Sequence, residues 1–536
     1  MPTQAPEHRC SSSRAIEAAA AGLLEVEAYT TRAVYDAVDR VQSQTTPDAS
    51  ETRPSYNEAN LVERVEVQVR GAAGVTAFVE SVDYNARGQR ERVVHGNGTV
   101  CTYAYEADTF RLAQQRTTRS RDGAVLADLR YAYDPVGNIV AVSDAVSFGN
   151  PEVSGDGLYS YDAVYQLVTA TGREHPGQQP TAADADLLVL DHGNDLQALR
   201  RYQESYAYDA VGNLVEVAHA PLGGGPSGWT RRYRYAADSN RLVATSLPGD
   251  ADGTYTAGYS HDAAGNMTRM PHLVGLQWDH AQRLAHADRG GGGDVYFAYD
   301  AGGQRVRKAY DHGGFVEERV YLGGYEVYRK RNRATGQLAL ERQTLHVAGD
   351  PTVALVETKT LDTTLAGFTA TTRLRYQLAD HLGSTTTELD ETGAVITYEA
   401  YFPYGGTAWH AASSATDVSR KRFRYTGCER DDETGLDYHS ARYYAPWLGR
   451  WTSADPAGFV DGVNLYRYAR NSPVGLIDRS GTEGVPPPDI ALEAVERFLA
   501  QLGVRIPSSA PAAAAPAAAA AAAASTAAPA ASGLPM

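Results

Sequence analysis

The sequence predicts an all-β fold, a sheet of short hairpins paired edge to edge and coiled on itself, and three observations predict it. Tyrosine outnumbers phenylalanine 34 to 10 and there are 51 glycines, a usage that suits many short strands joined by tight turns. A phrase of the form Tyr-Asp-x-x-Gly-Asn/Gln-aliphatic recurs through residues 31–310, its copies opening roughly twenty to twenty-eight residues apart, the period of a repeat architecture. Inside each copy Tyr-x-Tyr puts two rings on one face of a strand, Asp-x-x-Gly-Asn supplies turn residues, and the aliphatic that follows restarts the strand.

Residues 1–30 stand apart. A polar opening, Met1 to Arg14, leads into an Ala/Glu-rich stretch with modest helix propensity, read as a loose start with a short helix. It runs straight into a degraded copy at Tyr35, which suggests the surviving C-terminal part of a longer gene. Further copies open at Tyr56, Tyr84, Tyr133, Tyr161, Tyr208, Tyr235, His261, Trp278 and Tyr299. Asp39 and Tyr165 stand where glycine is usual, Ala236 replaces the aspartate, and His261 and Trp278 replace the first tyrosine. One hairpin is marginal alone, so the units have to pair with one another and the sheet edges need covering. Gly/Pro-rich inserts at 172–195, 221–228, 248–253 and 289–293 read as surface loops. Residues 311–421 carry longer strands.

The stretch from Arg422 to Gly481 is the densest in fixed pieces: Tyr425-Thr426-Gly427, Glu429-Arg430-Asp431, Ala441-Arg442-Tyr443-Tyr444, Gly449-Arg450-Trp451, Asp455-Pro456-Ala457-Gly458, Asn464-Leu465-Tyr466 and Asn471-Ser472-Pro473. It resembles the RHS repeat-associated core, and the copies before it resemble the YD or RHS repeat of Rhs polymorphic toxins and toxin-complex C-type proteins. The resemblance covers roughly residues 30–481. It implies a shell, or part of one, that encapsulates a C-terminal polypeptide and is capped by the core. It implies a partner that completes the shell, a toxin-complex B-like protein or an N-terminal Rhs part. It also implies self-cleavage just past the core by an aspartyl-type arrangement of two carboxylates and a guanidinium, which falls here on Arg442, Asp455 and Asp478. The cut is then expected in Gly481-Thr482-Glu483.

The chemistry suits those residue types. Two carboxyls sharing a proton can take one from water and give one to the departing amine, while an arginine, which stays charged, orients one of them through paired hydrogen bonds. The bland reading is that Asp-Pro-x-Gly is turn chemistry and that Arg with Asp is a structural ion pair. The sequence departs from the family at Arg479, where proline is usual, and that charge could hold a carboxylate unproductively.

A net charge of −16 excludes a nucleic-acid partner for the main body. Cys10, Cys101 and Cys428 are too few and scattered for a disulfide framework or a zinc site, and no histidine is placed beside Cys428 by the sequence. His381 and His439 read as hydrogen-bonded sheet residues. The glycine runs at 223–225 and 290–293 lack the context of a phosphate loop, so no cofactor and no metal are expected. Neither a Sec signal nor a membrane span is recognised, which leaves a chain cytoplasmic before export by another route and then secreted or at the cell surface. Residues 482–536 read as one amphipathic helix, with Ile490, Val495, Phe498, Leu499 and Leu502 at helical spacing, followed by disordered Ala/Pro low complexity. The competing reading is a non-cleaving surface or secreted repeat protein whose tyrosines bind carbohydrate or a cell-surface receptor, or a truncated orphan module.

Overall fold

A computed structural model describes residue 25 and residues 27–146, 148–178, 198–223, 228–347, 353–412 and 418–487; the helix expected from Ile490 onward lies outside them. Among the described residues there is no α-helix, only strands and single 3-10 turns. Within each sheet, every strand pairs antiparallel with the next in the chain. One run goes from Arg32–Tyr35 to Ala257–Gly258, and a second from Gly275–Trp278 to Thr407–Ala412. Between them lies the pair Ser260–His261 and Met267–Arg269; a four-stranded sheet, Glu429–Arg430 to Arg450–Trp451, is the last among the described residues.

The repeated phrase has a physical cause at each position. The aspartate caps its own turn: Asp134 Oδ1 accepts from the backbone N–H of Val136, Gly137 and Asn138 at 2.8–3.1 Å, while Oδ2 accepts from the Asn138 side chain at 2.8 Å. Asp209 and Asp162 repeat the pattern with Asn213 and Gln166. The fifth position is left-handed, φ +105° at Gly137 and +79° at Gly212, where a glycine has no Cβ to strain. The tyrosine stitches one unit to an earlier one. Tyr84 Oη donates to Val62 O at 2.7 Å, Tyr133 to Leu112 O at 2.8 Å, Tyr161 to Ile139 O at 2.8 Å and Tyr235 to Leu214 O at 2.7 Å. Each acceptor is the aliphatic or polar residue that restarts the strand after the earlier turn. Trp278 substitutes for tyrosine because its Nε1–H makes the same bond, to Met267 O at 2.8 Å.

Two cores result. Strands Val62–Gln68 to Thr99–Tyr105 lay Val65, Phe78, Val93 and Cys101 against Tyr325, Val327, Val356, Tyr376 and Leu378 of the second run. Bonds such as Gln115 Nε2 to Ala379 O, 2.7 Å, and Arg119 Nη1 to Gly393 O, 2.9 Å, fix the two faces. Tyr131, Leu167, Tyr206, Leu242, Met267 and Leu284 face the closing sheet instead, burying Tyr425, Leu436, Tyr444, Leu448, Trp451 and Tyr468. The coil thus wraps its own C-terminal segment.

Two expected loops begin later than their composition suggested: Pro221 and Leu222 of the 221–228 insert lie within strand Leu214–Leu222, paired with Tyr202 and Arg201. Gly172 and Arg173 of the 172–195 insert lie within strand Leu167–Glu174, paired with Tyr202 and Arg201. The Tyr202 ring occupies the space a Cβ on Gly172 would take, 2.8 Å away, so the glycine is there for packing and not for a turn. Residues 179–197 of that insert are outside the described ones.

Candidate functional site: the carboxylate pair of the core

The closing sheet is held on the coil by charge as well as by apolar packing. Residues 418–433 run as a strap along the second sheet, where buried carboxylates meet buried cations. Glu399 accepts from Arg424 at 2.9 Å and lies 3.0 Å from Lys421 Nζ; Glu429 accepts from Arg305 at 2.6 Å; Asp431 accepts from Arg305 at 2.7 Å and Lys308 at 2.8 Å. Such pairs are costly to break singly, because the surviving charge is left in a dry site.

This frame positions Arg442, which opens strand Arg442–Ala445 and is 2% exposed. Its guanidinium lies over the Trp451 ring, 4.1 Å from the centroid, and one nitrogen, Nη2, reaches both Asp455 Oδ2 at 2.8 Å and Asp478 Oδ2 at 3.1 Å. The three residues marked in the sequence therefore converge on one atom. Arg442 Nε donates to the carbonyl of Gly481 at 2.6 Å, and Asp478 Oδ1 accepts from the amide of Thr482 at 2.9 Å. Arginine thus holds the carbonyl oxygen, and aspartate the nitrogen, of a single peptide, Gly481–Thr482.

The loop that offers this peptide is tightly fixed. Gly481 has φ +71°, and a Cβ there would lie 2.5 Å from the His439 carbonyl oxygen. The Ala441 amide donates to Ser480 O at 3.1 Å. Ser480 Oγ donates to Asp478 Oδ1 at 3.1 Å. Burial pushes the Asp455 carboxyl above its usual range in spite of Arg442, while Oδ1 accepts the Ala457 amide at 2.8 Å. Burial thus draws Asp455 towards its protonated form, and Asp478 carries the hydrogen bonds of the loop.

Arg479 leads away from the pair: its Nη2 donates to Leu382 O at 2.9 Å beside Gly383. Glu483 is exposed, 3.7 Å from Arg470. His381 lies not in a strand, as expected, but in the turn between strands Thr371–Ala379 and Thr385–Leu389, and its Nε2 meets Val474 O of the core at 2.8 Å.

Two further residues belong to the site: His439, which the sequence offered only as a hydrogen-bonded sheet histidine, and Asp461, which it did not mark. His439 Nδ1 meets Asp478 O at 2.6 Å. Burial alone would lower its pKa, but the neighbouring Cys428 sulfur, Asp437 and the Asp478 carbonyl raise it to about 9. The histidine partner of Cys428 is thus supplied by a strand pairing, Glu429 with Tyr438, which brings residues distant in sequence together. Asp461, the second, accepts the Gly484 amide at 2.7 Å and the Arg470 Nε at 3.0 Å; it lies in a stretch whose charge pattern resembles any polar loop. Among the described residues no three or more His, Cys, Asp or Glu side chains are grouped to hold a metal ion, and no helix is long and apolar enough to cross a membrane.

No family model matches the chain. Toxin subunit YenC1 of Yersinia entomophaga is 35% identical over 476 residues, covering 86% of this chain and 48% of that protein. Toxin protein Tse5 of Pseudomonas aeruginosa is 26% identical over 422 residues, covering 70% of this chain and 30% of that protein. The crystal structure of a TcdB2-TccC3-TEV chain superposes with a TM-score of 0.78 and 31% identity, over 87% of this chain and 22% of that one. The chain spans about half the length of the Yersinia relative. Nearly its whole described length, repeats and core together, is shared with YenC1 and the TcdB2-TccC3-TEV chain, and it belongs with them among the YD/RHS-repeat proteins with an RHS repeat-associated core.

Proposed function

We propose that the chain is the shell-and-core module of a bacterial toxin assembly: residues 31–310 and 311–421 form the repeat wall, 422–481 the core, and 482–536 a tail that the core cuts free. A B-like shell protein, of the kind joined to TccC3 in the TcdB2-TccC3 structure, would complete the enclosure. Delivery would be to the outside of the producing cell or to its surface.

The observation that carries the reading is the grip on the Gly481–Thr482 peptide. Arg442 Nε is placed to stabilise negative charge developing on the Gly481 oxygen. Asp478 Oδ1 stands at the nitrogen that departs and can pass it a proton. Asp455 shares Nη2 with Asp478, so the pair can exchange acid and base roles as water adds to the Gly481 carbon. The substrate is the chain's own loop, already oriented, so no binding step is needed.

The repeat tyrosines supply no comparable support for a carbohydrate-binding role, since the hydroxyls of Tyr84, Tyr133, Tyr161 and Tyr235 are engaged with backbone carbonyls.

The test is the fraction cut, followed over hours on denaturing gels, in wild type and in Asp455→Asn, Asp478→Asn and Arg442→Lys. Each variant is expected to cut at least about 100-fold more slowly, the range that loss of one acid–base or oxyanion group produces. A fast cut in Asp478→Asn would sink the proposal.

A further inference from the structure

The residues just past Gly481 are held more firmly than a segment about to be shed requires. Asp461 Oδ2 accepts the Gly484 amide at 2.7 Å. Ile477 and Val485 exchange two backbone hydrogen bonds, each 2.8 Å. Asp461 is itself anchored by Arg470 Nε at 3.0 Å and, through its carbonyl, by Arg467 Nη2 at 2.5 Å. Gly484 is buried, and a Cβ there would lie 3.1 Å from Ala469 Cα and 3.2 Å from Asp461 Oδ2, so the position accepts little besides glycine. None of these contacts touches the Gly481–Thr482 peptide.

We infer that Asp461, Asp478 and the backbone of Ile477 form a binding site for a peptide with a free amino terminus, Thr482-Glu483-Gly484-Val485, so that the tail stays docked on the core after the cut. The inference rests on the proposed self-cleavage for its ligand. In that step water adds its hydroxyl to the Gly481 carbonyl carbon, the carbon–nitrogen bond breaks, and the Thr482 nitrogen takes the proton. At neutral pH the products are a Gly481 carboxylate and a Thr482 ammonium, the latter with a pKa of about 8. The carboxylate is left facing Arg442, and the ammonium faces Asp478 Oδ1, which already lies 2.9 Å from that nitrogen. Both new charges therefore meet an opposite charge in place, and charge-assisted bonds replace neutral ones. The site reads a charged amino terminus, then a small residue two positions on, then a strand edge.

The experiment uses the full chain at neutral pH, without a partner. Cut wild-type protein is passed over gel filtration, and the body fraction is analysed by denaturing mass spectrometry. The tail is expected to travel with the body. A synthetic peptide of residues 482–489 with a free amine is expected to displace it at concentrations at least tenfold below its N-acetylated form, while Asp461→Ala and Gly484→Val lose the cut tail at least tenfold faster. A tail that leaves wild type at once, or stays as long in both variants, overturns the inference. Should wild type remain whole, the self-cleavage reading fails on its own, and amide hydrogen exchange then decides on the intact chain. Gly484 and Val485 are expected to exchange at least tenfold faster in Asp461→Ala than in wild type, and equal rates overturn the site.

Discussion

Tyrosine is used in the repeats for its hydroxyl as much as for its ring. A ring alone would fill the same space in phenylalanine, but it could not close the bond from Tyr133 to Leu112 O or from Tyr84 to Val62 O. Tyr133→Phe is expected to destabilise the chain by about 1 kcal/mol, the net value of one such bond plus a carbonyl left under-satisfied, read as a shift in denaturant midpoint at unchanged slope. Trp278→Phe should behave alike, since it loses the bond to Met267 O. The excess of tyrosine over phenylalanine was legible as β composition; the bond was not, because the acceptor lies some twenty residues back and is a backbone atom, which leaves no mark in the pattern. His439 shows the same limit at the site: its contact is the carbonyl of Asp478.

At the scale of the turn, the conformation is kept where the residue has drifted. Asp39, Asn60, Tyr165 and Gln282 occupy the left-handed position, with φ of 61–65°. The departures visible at Asp39 and Tyr165 are therefore strained copies of one turn, not different turns. An L-residue there carries a penalty of about 1–2 kcal/mol. Tyr165→Gly is thus expected to stabilise by up to about 1 kcal/mol once the entropy of glycine in the unfolded chain is subtracted, and Gly137→Ala to destabilise by about 1–2 kcal/mol. Equal midpoints for Tyr165→Gly and wild type would contradict the strain. Hairpin order and strand direction followed from the repeat. What did not follow was that Gly172 belongs to a strand, because its reason is the ring of Tyr202 across the pair.

At the scale of the whole molecule, the sequence marked the core by its fixed pieces and marked Arg442, Asp455 and Asp478 by resemblance. It did not show that the coil closes on the core through buried charge, since the partners of Glu326, Glu388 and Glu399 are spread over some hundred residues. Arg422, His346 and Arg319 hold Glu326 well below the usual carboxylate range, Arg424 and Lys421 do so for Glu399, and Arg375 and Lys421 lower Glu388, each against an opposing burial effect. Groups lowered in the folded state stabilise it fully above their unfolded pKa, about 4.3, and lose that contribution as pH falls below it towards the folded values. His439, raised to about 9, acts in the other direction: its contribution is complete below about 6.5 and is lost as pH rises through 9. The thermal midpoint is therefore expected to be highest near pH 6 and to fall on both sides. Glu399→Gln, which strands Arg424 and Lys421, should cost about 3–5 kcal/mol and flatten the acid limb.

The central claim is that the core is built to cut the chain at one peptide. The most direct measurement is the mass of freshly purified wild-type protein under denaturing conditions, read to a single residue. The expected result is two species, residues 1–481 and 482–536, with the second beginning at Thr482. A single full-length species of 57.6 kDa that persists on incubation, or a cut at any peptide other than Gly481–Thr482, would contradict it.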